Sequence, residues 1–272
     1  MWNDFTGRAV LVTGGTRGIG LATGLAFGRL GADVTLTHKW GSVDDDDILT
    51  AFARAGAPAP SIVQADVSHD GDVRQVMEGL KARHARLEVF VSNAAFGATV
   101  KTVDDYTKKA LHAGIDYSAW PLVSHTVMAR TVFGRAPRYI VGVSSEGADS
   151  MHVGYDLIGA AKSVLETLCR YLHYRLREEG STVNVVRTRF VDTVSLADTL
   201  GDDFIPFVRR FEPDVLTSPE EVADAIVGIC SGAMDALGGQ VLTVDRGAGL
   251  YENFSRLYQE RHLHPISSKE KP

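Results

Sequence analysis

The sequence predicts a doubly wound α/β fold: one parallel sheet of seven strands with helices on both faces. Three observations predict it. Short apolar runs rich in β-branched residues recur along the chain, and longer segments of helical apolar spacing lie between them. Each interval is long enough for a helical crossover, which parallel neighbours require and which places helices on both faces of a sheet. The 272 residues are 44% hydrophobic, enough for the two-sided core of such a sheet.

In chain order, the first strand is Ala9–Thr13, followed through a glycine-rich turn by a helix near Ile19–Leu30. Asp33–Thr37 is the second strand and Asp45–Ala55 the next helix. Its acidic start, Asp44–Asp47, reads as a solvated helix N-terminus favoured by the helix dipole. Then come strand Ser61–Gln64, helix Gly71–His84, strand Val89–Ser92 and one long helix across Val103–Val132. Strand Tyr139–Ser144, helix Tyr155–Glu179, strand Thr182–Val186, helix Pro219–Ser231 and strand Gln240–Val244 complete the series. The chain shows no internal repeat, linker or low-complexity block, so residues 1–272 read as a single domain. Residues 187–217 are too long for an ordinary connection and are expected to form a substrate loop or lid. The polar tail, 251–272, is expected to end in a mobile segment.

A net charge of −6 argues against nucleic-acid binding, which calls for a basic stripe. The two cysteines, Cys169 and Cys230, lie far apart, form no disulfide framework and have no metal-ligand spacing, which fits a reducing compartment. The opening MWNDFTGRAVLV lacks a basic segment followed by a long apolar run, and no apolar stretch reaches membrane-spanning length. A cytoplasmic protein without metal, membrane or nucleic-acid partners is expected.

The strongest local signal is Thr13-Gly14-Gly15-Thr16-Arg17-Gly18-Ile19-Gly20, between the first strand and the first helix. Glycines there let the backbone approach a pyrophosphate that a Cβ would block, and the helix N-terminus offers unpaired N–H groups and a positive dipole. A strand, a glycine turn, a helix and a second strand together point to a dinucleotide site in a Rossmann fold. An acidic residue at the end of the second strand would bind a ribose 2′-hydroxyl and repel a 2′-phosphate. This chain has His38 and Lys39 there, and Arg17 in the turn. Cations in those places suit the 2′-phosphate of NADPH better than NADH.

The spacing of Gly14, Gly18 and Gly20 resembles the short-chain dehydrogenase/reductase family, over roughly residues 5–250. The resemblance implies that Asp66 and Val67, after the third strand, meet adenine. It implies that Asn93 and Ala94, in Ser92-Asn93-Ala94-Ala95, belong to the cofactor site, and that Val191 and Thr193 meet the nicotinamide amide. Thr16 and Ile19, within the turn, join the cofactor-binding set.

The family's usual pair is Tyr-xxx-Lys on one helix. Four residues before Lys162 stands Ile158, which cannot donate a proton; Tyr155 stands seven before it. Seven residues are nearly two helical turns, so Tyr155 and Lys162 share a face. This Tyr-x6-Lys spacing, with Gly159, Leu165-Glu166 and Arg170-Tyr171, resembles the enoyl-acyl-carrier-protein reductase branch. The family's fourth-helix Asn falls near Gly114 here, and its loss also occurs in that branch. The resemblance implies that Lys162 binds the nicotinamide ribose, and its charge is expected to lower the Tyr155 pKa. Tyr155 hydrogen-bonds the developing thioester oxygen, and Ser145 offers a second hydrogen bond.

After the sixth strand, Arg187 and Arg189 replace the small residues usual in relatives; they either bind an anionic part of a substrate or face outward. Phe96 and His152 are further candidate substrate contacts, while Phe96, Trp120, Phe204 and Phe207 also read as core and lid packing. The leading reading is an NADPH-dependent reductase of the conjugated C=C of an enoyl thioester or related metabolite, small or carried on acyl-carrier protein or CoA. A carbonyl reductase of polyketide or secondary metabolism and a catalytically silent dinucleotide sensor stand beside it. Family analogy implies a homodimer or homotetramer built on the helices near 103–132 and 155–179.

Overall fold

The computed structural model describes residues 4–40, 43–211 and 215–250, together with Ser255, Tyr258, Gln259 and His262. The strands are β1 (Ala9–Thr13), β2 (Asp33–His38), β3 (Ser61–Gln64), β4 (Leu87–Ser92), β5 (Tyr139–Ser145), β6 (Thr182–Thr188), β7 (Phe190–Val191), β8 (Leu216–Thr217) and β9 (Val241–Val244). The helices are α1 (Gly18–Arg29), α2 (Asp45–Arg54), α3 (Asp70–Lys81), α4 (Lys108–Ser118), α5 (Trp120–Phe133), α6 (Asp156–Leu176), α7 (Val194–Leu200), α8 (Phe204–Phe211) and α9 (Pro219–Ile229).

Seven strands form one sheet in the order β3-β2-β1-β4-β5-β6-β9, and every neighbouring pair is parallel. Alternation along β1 shows how both faces are filled. Val10 and Val12 point into a core with Phe27, Leu36, Phe52 and Ile226, beneath α1, α2 and α9. Ala9 and Leu11 point into the opposite core with Met77, Leu80, Phe90, Leu122 and Leu165, beneath α3, α5 and α6. Both faces are dry, which is why these strands read as unbroken apolar runs. The Asp44 carboxylate accepts the Asp46 N–H at 3.0 Å, so the acidic run is the capped helix start that the dipole argument expects.

Two expectations are corrected. The long helix across 103–132 is broken. A 3₁₀ turn over Val103–Asp105 is closed by a capping box between Thr102 and Asp105, and Thr107 then caps α4. Pro121 at the start of α5 cannot donate back to α4, so the chain turns at Ala119. The segment 187–217 is not an open loop. β6 continues to Thr188, and β7 pairs with β8 to tie the two ends together. Thr193 caps α7 by accepting the Leu196 N–H at 3.2 Å. Between the ends, Phe190, Leu196, Phe204 and Ile205 pack on Val208, Val215, Leu216 and Ala248 as a small core of the lid's own. The expected mobile end of the tail lies outside the described residues.

The chain runs from β1 outward to β3, then returns to place β4 on the other side of β1. Connections leaving β1 and β4 in opposite directions open a crevice at their carboxyl ends, where ligands of doubly wound sheets bind.

Candidate active site

A cavity of about 500 Å³ fills that crevice, within the range of small-molecule sites. The glycine turn forms one wall. Gly14 and Gly18 have φ of +60° and +52°, a region that side chains disfavour. A Cβ on Gly14 would stand 3.0 Å from Ala94 Cα, and one on Gly18 would touch the Thr193 methyl at 3.4 Å. Thr16, Arg17, Gly18 and Ile19 face the cavity. Gly20 does not: it lies behind the turn, where a Cβ would come within 2.2 Å of the Gly14 carbonyl oxygen. Asn93 holds the turn from below, donating to the carbonyls of Thr13 at 3.0 Å and Gly14 at 2.9 Å.

Residues at this wall fit a dinucleotide. Arg17 at the N-cap of α1 makes no side-chain cap, and the first turn of α1 has no acidic residue, so its N–H groups and dipole remain available to a phosphate. Two buried polar atoms on the β2 end of the cavity, Thr37 Oγ1 and His38 Nδ1, have no hydrogen-bond partner among the described residues. Such atoms are costly unless a ligand satisfies them.

Lys39 also lines the cavity, but it is engaged. Its ammonium pairs with Asp66 Oδ2 at 2.7 Å, donates to the Tyr117 hydroxyl, and sits over the rings of Trp40 and Tyr117 at 4.6 and 4.5 Å. Its hydrogen bond with Asp66 is the main influence raising the Lys39 pKa. Asp66, implied by resemblance as an adenine contact, therefore turns to Lys39 and Ser68, while Val67 faces the cavity. Tyr117 and Trp40 had no signal in the sequence, because Tyr117 reaches this corner from α4, 78 residues beyond Lys39. Ala94, Val191 and Thr193 line the cavity.

At the other end, Tyr155, Lys162 and Ser145 converge. Tyr155 is the N-cap of α6, and Lys162, almost wholly buried, lies two turns along. The Lys162 ammonium donates to the Val143 carbonyl at 2.7 Å. Burial pushes its pKa down to about 8, against the opposing pull of the Glu166 carboxylate. The Tyr155 phenol behaves differently from the expectation. Burial raises its pKa, and the Ser145 hydroxyl draws it part-way back. The ammonium is spent on Val143, and desolvation dominates. Burial thus favours the neutral phenol of Tyr155.

Small residues set this geometry. A Cβ on Gly147 would stand 2.4 Å from the Tyr155 ring, so the ring lies flat on the turn that follows β5. Ile158, at the position the family's usual tyrosine would take, packs on Gly97, where a Cβ would come within 2.4 Å of its side chain. Gly114, on α4, faces Leu157 and Ala161 of α6.

Of the candidate substrate residues, Phe96, His152 and Arg189 line the cavity and Arg187 does not. Arg187 forks onto Glu166, with Nε to Oε1 at 2.9 Å and Nη2 to Oε2 at 2.6 Å. Arg189 instead meets Glu146 at 2.9 Å beside His152, whose ring packs edge-on against Tyr155 and Phe190. Phe204 packs on Phe190, but Phe207 and Trp120 are exposed rather than packed inside.

A family model described as enoyl-(acyl carrier protein) reductase matches residues 14–249. The chain belongs to this family, within the short-chain dehydrogenases/reductases. It is therefore an oxidoreductase. An NADH enoyl-[acyl-carrier-protein] reductase of Aquifex aeolicus (strain VF5) is 26% identical over 262 residues, 92% of this chain and 94% of the relative. A 1-cyclohexenylcarbonyl-CoA reductase of Streptomyces collinus is 28% identical over 244 residues, 88% of this chain and 86% of the relative. A solved 7α-hydroxysteroid dehydrogenase, in complex with NADH and 7-oxo glycochenodeoxycholic acid, superposes with a TM-score of 0.80 at 18% identity, covering 90% of this chain and 96% of that one. That likeness confirms the fold. No described helix of this short-chain dehydrogenase/reductase is long and apolar enough to cross a membrane.

Proposed function

We propose that this short-chain dehydrogenase/reductase is an NADPH-dependent reductase of the conjugated C=C of an enoyl thioester, free or carried. The observation that carries the reading is the placement of the acid. Tyr155, seven residues before Lys162, reaches the cavity beside Ser145, while apolar Ile158 fills the other position over Gly97. Two of the relatives described above are named as reductases of enoyl or cyclohexenylcarbonyl substrates.

When bound, the nicotinamide supplies a hydride. Lys162, which lines the same cavity as Tyr155, would hold the ribose. The neutral Tyr155 hydroxyl donates to the thioester carbonyl oxygen, stabilising the negative charge that develops there when the β-carbon is reduced. Ser145 orients that hydroxyl, and α7 lines the cavity beside it. Gly14, Thr16, Arg17, Gly18 and Ile19 bind the pyrophosphate end, with Asn93 holding the turn. His38 and Arg17 read the adenosine end, where β2 ends without a carboxylate. Lys39 contributes less there, because Asp66 neutralises it.

Arg189 and His152, with Phe96 and Phe190, form the wall against the acyl group. A homo-oligomer is supported by the exposed Trp120 and Val127 on α5 and Tyr171 and Tyr174 on α6, apolar faces of the kind that mark interfaces.

The test follows loss of NADPH absorbance with a crotonyl thioester or a small ketone as acceptor. Turnover with the thioester and a Tyr155→Phe variant slowed about 10²–10⁴-fold at unchanged NADPH affinity support the reading. Turnover with the ketone alone makes the protein a carbonyl reductase. Tight NADPH binding without turnover of any acceptor makes it a sensor.

A further inference from the structure

Arg189 brings to the cavity wall a set of hydrogen-bond donors that the proposed chemistry does not use. It stands between β6 and β7 and lines the cavity, with its side chain only 19% exposed. A guanidinium carries five N–H donors in one plane. The polar and ring contacts of this one among the described residues are two. Glu146 Oε2 lies 2.9 Å from Nε, and the Phe190 ring lies 5.4 Å from the guanidinium carbon. The Glu146 contact balances charge but makes no hydrogen bond: Nε and Oε2 are both buried without a hydrogen-bond partner among the described residues. Arg187 differs, because its three nitrogens donate to Glu166 and Asp149.

The neighbours of Arg189 show which part of a substrate it meets. The His152 ring packs edge-on against Tyr155 at 6.1 Å and against Phe190 at 5.8 Å. Arg189, over Phe190, therefore stands beyond His152 from the tyrosine. A thioester whose carbonyl sits at Tyr155 reaches Arg189 with its acyl group. Phe96, Ile158, Leu196 and Leu200 also line the cavity, so the guanidinium is a polar group among apolar neighbours. A hydrocarbon chain would strip water from its N–H groups and replace none of the lost hydrogen bonds. An oxygen on the acyl group would replace them. A carboxylate fits less well, because Glu146 already balances the guanidinium and Asp198 of α7 also lines the cavity.

We infer that Arg189 is a specificity-determining residue that donates to an uncharged oxygen, a hydroxyl or ether, on the acyl group of the substrate. The inference rests on the reading of Tyr155 as the group that meets the thioester carbonyl. It narrows the substrate class from enoyl thioesters in general to those whose acyl group carries oxygen.

The experiment reads binding, by calorimetric titration of the protein with NADPH present, at about pH 8, above the ordinary imidazole range. The probes are saturated acyl thioesters of one chain length, which hold no C=C to reduce: a plain alkyl thioester, one with a hydroxyl toward the far end, and one with a carboxylate there. Wild type is expected to bind the hydroxyl probe about tenfold more tightly than the alkyl probe, the effect of one charge-assisted hydrogen bond, and more tightly than the carboxylate probe. Arg189→Met, apolar and of similar reach, removes the preference, and Arg189→Lys keeps part of it. Glu146→Gln unmasks the guanidinium charge and turns the preference toward the carboxylate probe; it serves alone should Arg189→Met fail to fold. Equal wild-type affinity for hydroxyl and alkyl probes, a wild-type preference for the carboxylate, a hydroxyl preference that survives Arg189→Met, or an unchanged order in Glu146→Gln overturns the inference. Turnover of the matching unsaturated thioesters is followed separately. A hydroxyl preference in binding without turnover leaves the role of Arg189 standing and sinks the reductase reading alone; turnover without the preference does the reverse.

Discussion

Gly20→Ala tests whether the glycine turn is a packed unit rather than a flexible loop. The added Cβ would stand 2.2 Å from the Gly14 carbonyl oxygen and 2.6 Å from Asn93 Nδ2. Relief requires α1 to retreat from the turn by about 1 Å, given ordinary contact distances. That movement breaks the Asn93 bonds to Thr13 O and Gly14 O, now 3.0 and 2.9 Å. Two hydrogen bonds at about 1 kcal/mol each, with about 1–3 kcal/mol of overpacking strain, cost about 3–5 kcal/mol. For a domain of this size the melting temperature falls by roughly 5–9 °C. The displaced turn also loses its aim at the pyrophosphate, and NADPH binding weakens at least about tenfold. Thermal melts and NADPH fluorescence titration measure the two effects. Gly79→Ala is the internal control: it lies on the exposed side of α3 with no atom within 4 Å of an added Cβ, and gains about 1 kcal/mol from helix propensity. A Gly20→Ala protein that melts with wild type and binds NADPH as tightly refutes this account of the turn.

Arg17→Ala is expected to reduce the ratio of kcat/KM for NADPH over NADH about tenfold, the loss of one charged hydrogen bond to the 2′-phosphate; an unchanged ratio removes Arg17 from cofactor choice. Lys39→Ala moves the same ratio less, because its charge is already balanced by Asp66. His125 is buried and stacked 5.1 Å from Phe90, and burial holds its pKa down at about 4. The unfolded chain takes up that proton first, so the His125 contribution is full above about pH 6.5 and lost progressively toward pH 4, by up to about 3 kcal/mol. Urea melts across that window follow the loss, and His125→Phe should flatten it; an equal slope in the variant would show that other groups govern acid stability.

Much of the fold was legible because its signals are local. Apolar runs marked all seven strands of the main sheet, and their starts or ends moved by at most a few residues. The glycine spacing and the Tyr155–Lys162 interval placed those groups in one cavity, since both are set by backbone geometry over a few turns. The break before α5 was written in Pro121, but the helical apolar pattern continued across it and hid the turn. The 187–217 segment gave no strand signal because β7 and β8 are two residues each, held by pairing across the lid rather than by propensity.

Partner choice among charges was illegible for a related reason. Arg187 and Arg189 look alike in sequence, two residues apart on a strand extension. Pleat alternation alone would put residues two apart on one face; the chain leaves β6 at Thr188, and the neighbours each one meets separate them: Arg187 turns to Glu166, and Arg189 to the cavity wall. Asp66 likewise carried the family's adenine position and meets Lys39 instead. The sequence by itself determined the parallel sheet, the phosphate-binding turn and the displaced tyrosine, because hydrophobic period, glycine and helical spacing act through the nearest few residues. Only the tertiary structure decided which cations face the ligand and how the lid is tied down. Those outcomes depend on desolvation and on charged and polar groups brought together from 21 to 78 residues apart, and no local pattern encodes them.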